Sequence, residues 1–415
     1  MHLPLSAAAA RGRTAGGRLV RRLGLLPGGE PDGLGEDAAL ADARWAHRVV
    51  VFFPEPLRNC YQLEQWLDPL ADLDRRAGVV LVTQDSRTTA RLRARTRLPV
   101  HCVGRTATLD GLVARSALGL ALYVSHHPRN FQLLRYPRLA HAYLGHGESD
   151  KAVSASNQLK AYDRVLVAGQ AAVDRITAEL LWFDTGRLVR IGRPQAAAAD
   201  RPSSPAADRP TVLYAPTWEG AQPSMAYSSV LTHGSALVRS LLSAGLRVVY
   251  RPHPRTGANR RDVAAAETAL RRVFDEPAVR AGGSTVDLGR PLAEAFADAD
   301  ALVTDVSAMA VEWLPTGRPL VVTEPAASGA VLPPSPLLSA LPRLPAADAE
   351  RAGELLRRCL ADDPERAARA ALLRHYLGEG GAAAARARFV EACVDLLTAR
   401  DDAARALPHV AGVAP

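Results

Sequence analysis

The sequence predicts an α/β fold in which two doubly wound parallel sheets face a cleft and helices close the C-terminal end. Three observations carry that expectation. From residue 47 onward, short β-rich runs alternate with helical stretches, the order expected of parallel strands joined by crossover helices. The β-rich runs are apolar throughout rather than alternating, so both faces of each sheet are expected to be covered. The series is interrupted once, at residues 193–210, RPQAAAADRPSSPAADRP, where proline among Ala, Ser and Asp reads as an interdomain linker. The expected organisation is a flexible or membrane-surface segment at 1–45, a first domain at 46–192, the linker, a second domain at 211–375 and a helical segment at 376–415.

The elements follow in order. HRVVVFFP reads as a strand, LEQWLDPLADLDRRA as a helix, GVVLVTQ as a strand, TTARLRARTRL as a helix and PVHCVG as a strand. LALYVSHHP, HAYLGHG and RVLVAG continue the first series. After the linker, TVLYAPTW is a strand, SSVLTHGSALVRSLLSAG contains a helix, and LRVVYRPHP is the next strand. RRDVAAAETALRRVF is helical, STVDLG a short strand, PLAEAFADAD a helix, ALVTDVS a strand, AMAVEWLPTG a helix and RPLVVTEP a strand. From ADAERAGELLRRCL the chain reads as helical almost to residue 400, with a break near LGEGG.

Composition narrows the class. With 415 residues, 48% hydrophobic and 23% charged, the chain can bury two cores. A formal net charge of +8 favours anionic ligands or surfaces. Of 51 basic residues only Lys151 and Lys160 are lysine, and this Arg and Ala richness follows the coding bias of the sequence more than arginine chemistry. Cys60, Cys102, Cys359 and Cys393 are too dispersed for a zinc site and read as buried thiols of a reducing compartment. No apolar run has the length to span a bilayer, and no secretion signal opens the chain. RGRTAGGRLVRRLGLLPGG, within 1–45, interleaves Arg with Leu in a way that suits an anionic membrane surface as well as a disordered tail. Scattered basic residues with no aromatic platform argue against nucleic acid.

Four polar clusters stand at the expected carboxyl ends of strands, where a doubly wound sheet binds its ligand. In GHGESDK, glycines flank His146 and let an imidazole face a ligand, although a histidine in a Gly turn also serves structure alone. Glu148 and Asp150 are candidates to orient that ring or cap the next helix, and Lys151 to contact phosphate. In YRPHP, Pro252 and Pro254 stiffen the exit that presents Arg251 and His253, a phosphate fork and a proton carrier. In VTDVSAMAVEWL, Thr304, Asp305 and Ser307 precede a helix whose first amides can receive phosphate, or which Asp305 or Ser307 simply caps. In LYAPTWEG, Thr217 and Trp218 close a strand beside the linker; the indole suits a base or sugar, or the core. Arg386, beside the Gly-rich break GEGG, suits a phosphate or a solvated helix face.

The order of these clusters resembles the CDP-glycerol glycerophosphotransferase family, the polymerases and primases of teichoic-acid synthesis. The resemblance rests on His146–Gly147, on Tyr214 to Trp218, on Arg251 to Pro254 and on Thr304 to Ala308, and covers roughly residues 120–390. It implies a GT-B architecture, two facing Rossmann-like domains with the donor nucleotide held mainly by the C-terminal one and the acceptor by the other. It implies His146 as general base, His253 and Arg251 against the donor pyrophosphate, and Asp305 and Ser307 holding or orienting that group. Two positions depart from the family pattern, Val306 for Tyr and Ala308 for a second Ser.

The resemblance therefore implies transfer of a glycerophosphate-like alditol phosphate from a CDP-activated donor to a hydroxyl of a cell-surface polymer or its lipid-linked precursor, with CMP released. No cofactor and no metal are expected. The expected partners are that donor, a polymer or lipid-linked acceptor and an anionic membrane surface, and the expected place is the cytoplasm or the inner face of the cell membrane. The alternatives are a GT-B glycosyltransferase using a nucleotide sugar and a polymer-binding or export-associated protein without turnover.

Overall fold

The computed structural model describes residues 35–148, 155–195, 209–332 and 334–407. Seven strands build the first sheet: β1 Val49–Phe53, β2 Val79–Thr83, β3 Val100–Cys102, β4 Leu120–Tyr123, β5 Ala140–Tyr143, β6 Arg164–Val167 and β7 Leu188–Arg190. Six build the second: β8 Thr211–Ala215, β9 Arg247–Tyr250, β10 Thr285–Val286, β11 Ala301–Thr304, β12 Leu320–Thr323 and β13 Arg343–Leu344. The spatial orders are β3-β2-β1-β4-β5-β6-β7 and β10-β9-β8-β11-β12-β13, and the neighbouring strands pair in parallel. In each sheet the order reverses between the first and fourth strands, so a crevice opens beyond the carboxyl ends of β1 and β4 and of β8 and β11.

Apolar runs form these strands because helices cover both sheet faces. Val49, Val51 and Phe53 enter one core cluster while Val50 and Phe52 enter another on the opposite face. The second sheet is divided likewise, Leu213 and Leu302 on one side and Val212, Tyr214 and Val303 on the other. The helix expected at 88–98 runs from Ser86 to Arg93, started by Asp85, whose carboxylate accepts from the Arg87 and Thr88 amides at 2.9 and 3.2 Å. The sequence reading missed β7 and β13, strands of three and two residues, too short to show a period. It also missed the helices Gln170–Glu179 and Pro336–Ala340.

The segment 1–45 enters the described residues at 35, and there it is folded onto the sheet edge rather than flexible. Glu36 accepts from the Cys102 amide at 2.6 Å, and Asp37 from those of Gly104 and Arg105 at 3.1 and 3.0 Å. Leu40 and Trp45 are buried in the first lobe.

The C-terminal helices tie the lobes together. The helix Arg366–Leu377 puts Leu372, Tyr376 and Leu377 into a cluster with Ala168 and Ala171 of the first lobe. At Gly169 any Cβ would run into the Tyr376 carbonyl, so this approach needs glycine. The helix Gly381–Ala406 then returns to the first sheet and buries Phe389, Val390, Cys393 and Leu397 there, Phe389 against Trp66 with ring centroids 5.2 Å apart. Arg386, expected from the sequence as a phosphate contact, belongs to this strap instead: its guanidinium lies 3.5 Å from Asp68 and 3.7 Å from Asp72, and its Nε donates to the Pro194 carbonyl. Among the described residues no helix is long and apolar enough to cross a membrane. Phe389→Ala should lower the free energy of unfolding by about 3–5 kcal/mol, since it empties a fully buried site joining helix to sheet. Urea denaturation measures this, and a loss below about 1 kcal/mol would show that the returning helix does not complete the first core.

Candidate active site

His146 stands on the turn after β5. Gly145 there has φ +67, a conformation glycine adopts without strain. The turn is gripped from the start of the next layer: Trp66 Nε1 donates to the Gly145 carbonyl at 2.8 Å and Gln65 Nε2 to the His146 carbonyl at 2.6 Å. The His146 Nδ1 lies 3.0 Å from the carbonyl of Val124, just past β4. A carbonyl only accepts, so the proton is on Nδ1 and Nε2 keeps a lone pair. Burial lowers the proton affinity of this ring below that of an ordinary histidine; the Val124 carbonyl raises it, Arg193 lowers it and Glu55 raises it. The result is a neutral imidazole with a lone pair on Nε2, the form a general base requires.

Glu148, expected as an orienter of the imidazole, turns away from it. Its carboxylate pairs with Arg175 at 2.9 Å and accepts from the Ala168 amide at 3.3 Å, which anchors the turn to the next strand and helix. Asp150 and Lys151 lie outside the described residues.

In the second lobe His253 has the opposite arrangement. Its Nδ1 accepts from the Arg255 amide at 3.1 Å, which puts the proton of the neutral ring on Nε2 and makes that atom a donor. Trp218 lies stacked beside it with centroids 6.3 Å apart, and the Arg255 guanidinium sits 3.8 Å over the indole. The indole thus supports the His253 loop. Buried Glu219 holds the same loop by accepting from the Gly257 and Asn259 amides at 2.9 and 2.7 Å. Arg251 is tethered to Asp287 at 2.6 Å, so the phosphate fork expected of it is partly occupied by a protein carboxylate.

The TDVS turn departs further from expectation. Asp305 is fully buried and does not reach the cleft. One oxygen accepts from the Thr217 and Ser229 amides at 2.7 and 3.2 Å, the other from the Thr323 hydroxyl at 2.5 Å. Burial raises its proton affinity and these donors oppose that rise. Asp305 therefore pins the ends of β8, β11 and β12 together, a positioning role in place of the catalytic one expected. Thr304 donates to the Ala215 carbonyl at 2.7 Å, inside the sheet, and Thr217 is likewise buried. Ser307 caps the helix Ala308–Trp313, accepting from the Met309 amide at 3.3 Å, so the helix start is closed by its own cap.

The two histidines nevertheless share a neighbour. Tyr61, on the short helix Tyr61–Glu64, presents its ring edge-on to both, 6.5 Å from His146 and 6.3 Å from His253 between centroids. A Cβ placed on Gly147 would lie 3.3 Å from that of Ala308, so the first-lobe turn touches the second-lobe helix. The first-lobe crevice adds residues that the sequence reading passed over. Buried Glu55 accepts from Ser125 at 2.8 Å and Asn59 at 2.6 Å, across the carboxyl ends of β1 and β4. His126 stacks on Tyr143 with centroids 4.2 Å apart, and burial, then the nearby His146, lower its pKa to about 4. The available signal was position: PEP follows the first strand and SHH the fourth, the two ends that flank a switch point. Among the described residues, no group of three or more His, Cys, Asp and Glu side chains is arranged to hold a metal ion.

Comparison with solved structures shows the same fold. A variant of the wall teichoic acid polymerase TagF soaked with CDPG is 12% identical, covers 92% of this chain and 98% of its own, and superposes with a TM-score of 0.56. Another TagF structure gives 13% identity, 91% and 95% coverage and a TM-score of 0.55. A glycosyltransferase from Rickettsia africae ESF-5 follows at 9%, 86% and 99%, and 0.53. No curated protein matches the sequence. The two facing sheets and the returning helices are a GT-B-like architecture. Residues 142–327, from the turn of His146 through the loops of His253 and Asp305, match the CDP-Glycerol:Poly(glycerophosphate) glycerophosphotransferase family, and the resemblance read from those turns holds over that stretch.

Proposed function

We propose that the chain is a transferase that moves a glycerophosphate-like alditol phosphate from a CDP-activated donor to a hydroxyl of a cell-surface polymer or its lipid-linked precursor. One observation carries the reading beyond the family match: His146 and His253 flank the same tyrosine from opposite lobes with opposite tautomers, a base facing a donor. His146 Nε2 takes the proton as the acceptor oxygen bonds to the β-phosphorus. The bond from that phosphorus to the bridging oxygen breaks, and CMP leaves with the electron pair. His253 Nε2–H donates to the phosphate oxygens on which charge collects, where positioned donors do most of the work of phosphoryl transfer. Asp305 acts through the loops it holds. The acceptor belongs on the first-lobe side, and this reading puts the reaction at the inner face of the cell membrane.

A donor screen tests the reading. CMP release from CDP-glycerol or CDP-ribitol with a hydroxyl acceptor is expected; release of UDP, GDP or TDP from a nucleotide sugar instead would replace alditol-phosphate transfer with glycosyl transfer. His146→Ala should cut kcat by about 10²- to 10⁴-fold with the circular dichroism spectrum unchanged. Near-full turnover in that variant would remove His146 as the base.

The pH profile has a definite sense. Protonating His146 abolishes its basic lone pair, and burial holds the ring below the ordinary value of 6.5. The acid limb of kcat/KM, which reports the free enzyme, should therefore fall below pH 6.5. A limb above that value would contradict a buried neutral base.

A further inference from the structure

Between the lobes lies a polar chain that the reaction scheme does not use. Arg193, just past β7, is 7% exposed, and its guanidinium pairs with Glu312, 11% exposed at the side chain, on the second-lobe helix Ala308–Trp313. The same guanidinium donates to Gln65 Oε1 at 3.0 Å, and Gln65 Nε2 donates to the carbonyl of His146 at 2.6 Å. A second-lobe carboxylate is thus linked through two side chains to the backbone of the proposed base. A guanidinium carries a full positive charge, so a buried Arg193 without Glu312 would stand uncompensated beside the imidazole.

We propose that Arg193 and Glu312 form a cross-lobe positioning pair for His146, Glu312 holding and neutralising the guanidinium that fixes Gln65 and, through it, the His146 turn. The base is then set in place by the lobe that carries His253. This rests on the reading of His146 as base, but the pair itself has a signature independent of turnover. His146 faces Arg193 from the exit of β7, Glu55 from that of β1, His126 from that of β4, the Tyr61 ring, and His253 beyond it. Glu148, on its own turn, is spent on Arg175. Of these groups Arg193 is the one fixed cation, and it disfavours the imidazolium. Removing Glu312 therefore exposes His146 to more positive charge, while removing Arg193 relieves it.

The test is an NMR titration of the full chain with labelled histidine, the His146 signal being assigned by its loss in His146→Gln. Glu312→Gln should move the His146 midpoint to lower pH and Arg193→Met to higher pH, each by about half a unit or more. Mere loosening of the turn would admit water and raise the midpoint in both variants, so two upward shifts, or none, overturn the proposal. If Arg193→Met does not fold, the nearly isosteric Glu312→Gln decides by itself, a downward shift supporting the pair and any other result rejecting it. Arg193→Lys keeps the charge but not the fork, and should titrate near wild type while kcat drops about tenfold. Full activity in His146→Gln would sink the assignment of the base and leave the titration to judge the pair.

Discussion

The site exists because the chain crosses between its lobes twice and is held at both crossings. The outward crossing leaves β7 through Arg193, which is buried and paired to the second lobe. The return crossing is made of packed helix: Tyr376 meets Gly169, and Phe389 and Cys393 complete the core beneath β1 and β4. Arg386 and Arg388 fasten the two crossings to each other by donating to the carbonyls of Pro194 and Ile191 at 3.2 and 3.1 Å. One covalent link would leave the lobes hinged. Two, one of them carrying an apolar face, fix their approach closely enough that residues from both reach Tyr61.

Within that frame the same residue type is made to do opposite things. His146 gives its Nδ1 proton to a carbonyl and His253 takes a backbone amide at Nδ1, so one ring offers a lone pair and the other a proton at Nε2. Neither outcome depends on the histidine itself; each is set by which backbone group the strand exit turns toward the ring. Asp305, Glu219 and Glu148 keep those exits rigid by taking backbone amides or a half-buried guanidinium, and each is committed to the fold for that reason. Removing a carboxylate such as Asp305 would strand several buried donors at about 1–3 kcal/mol each, which is why such groups tolerate little change without contacting substrate.

This division explains what could be read from the sequence. The sheets were legible because Val, Leu and Phe run unbroken through VVVFF, VVLVT and ALVT, a pattern only doubly covered strands require. The histidine turns were legible through their order along the chain, His146–Gly147, then Tyr214 to Trp218, Arg251 to Pro254 and Thr304 to Ala308, rather than through any one of them alone. What failed was the direction in which a side chain points. Asp305 and Arg251 stand at the right ends of the right strands, yet burial and the Asp287 pair turn them inward or sideways, and nothing in TDV or YRPH encodes that choice, whereas the Ser307 cap was one of the two readings its place before the helix offered. Tyr61, Glu55 and His126 escaped for the converse reason. They reach the cleft from elements far apart in the chain, and only the strand order β1-β4-β5 brings them beside His146.

The two departures from the family pattern find a physical setting in the same geometry. Val306, where the family has Tyr, is 4% exposed and packs with Ala310 and Val311 in the core of the second lobe, so it contributes stability and no hydroxyl. Ala308, where the family has Ser, stands opposite Gly147, and a single added Cβ there would already be at 3.3 Å. The His146 turn and the helix start thus meet through their two smallest residues. Close approach of a glycine to an alanine methyl stands here in place of a side-chain hydroxyl, and it brings the carbonyl gripped by Gln65 and the helix bearing Glu312 to the same seam. Where these lobes touch, size rather than polarity is the property that matters, because a larger residue at 147 or 308 would hold the His146 turn away from the second-lobe helix.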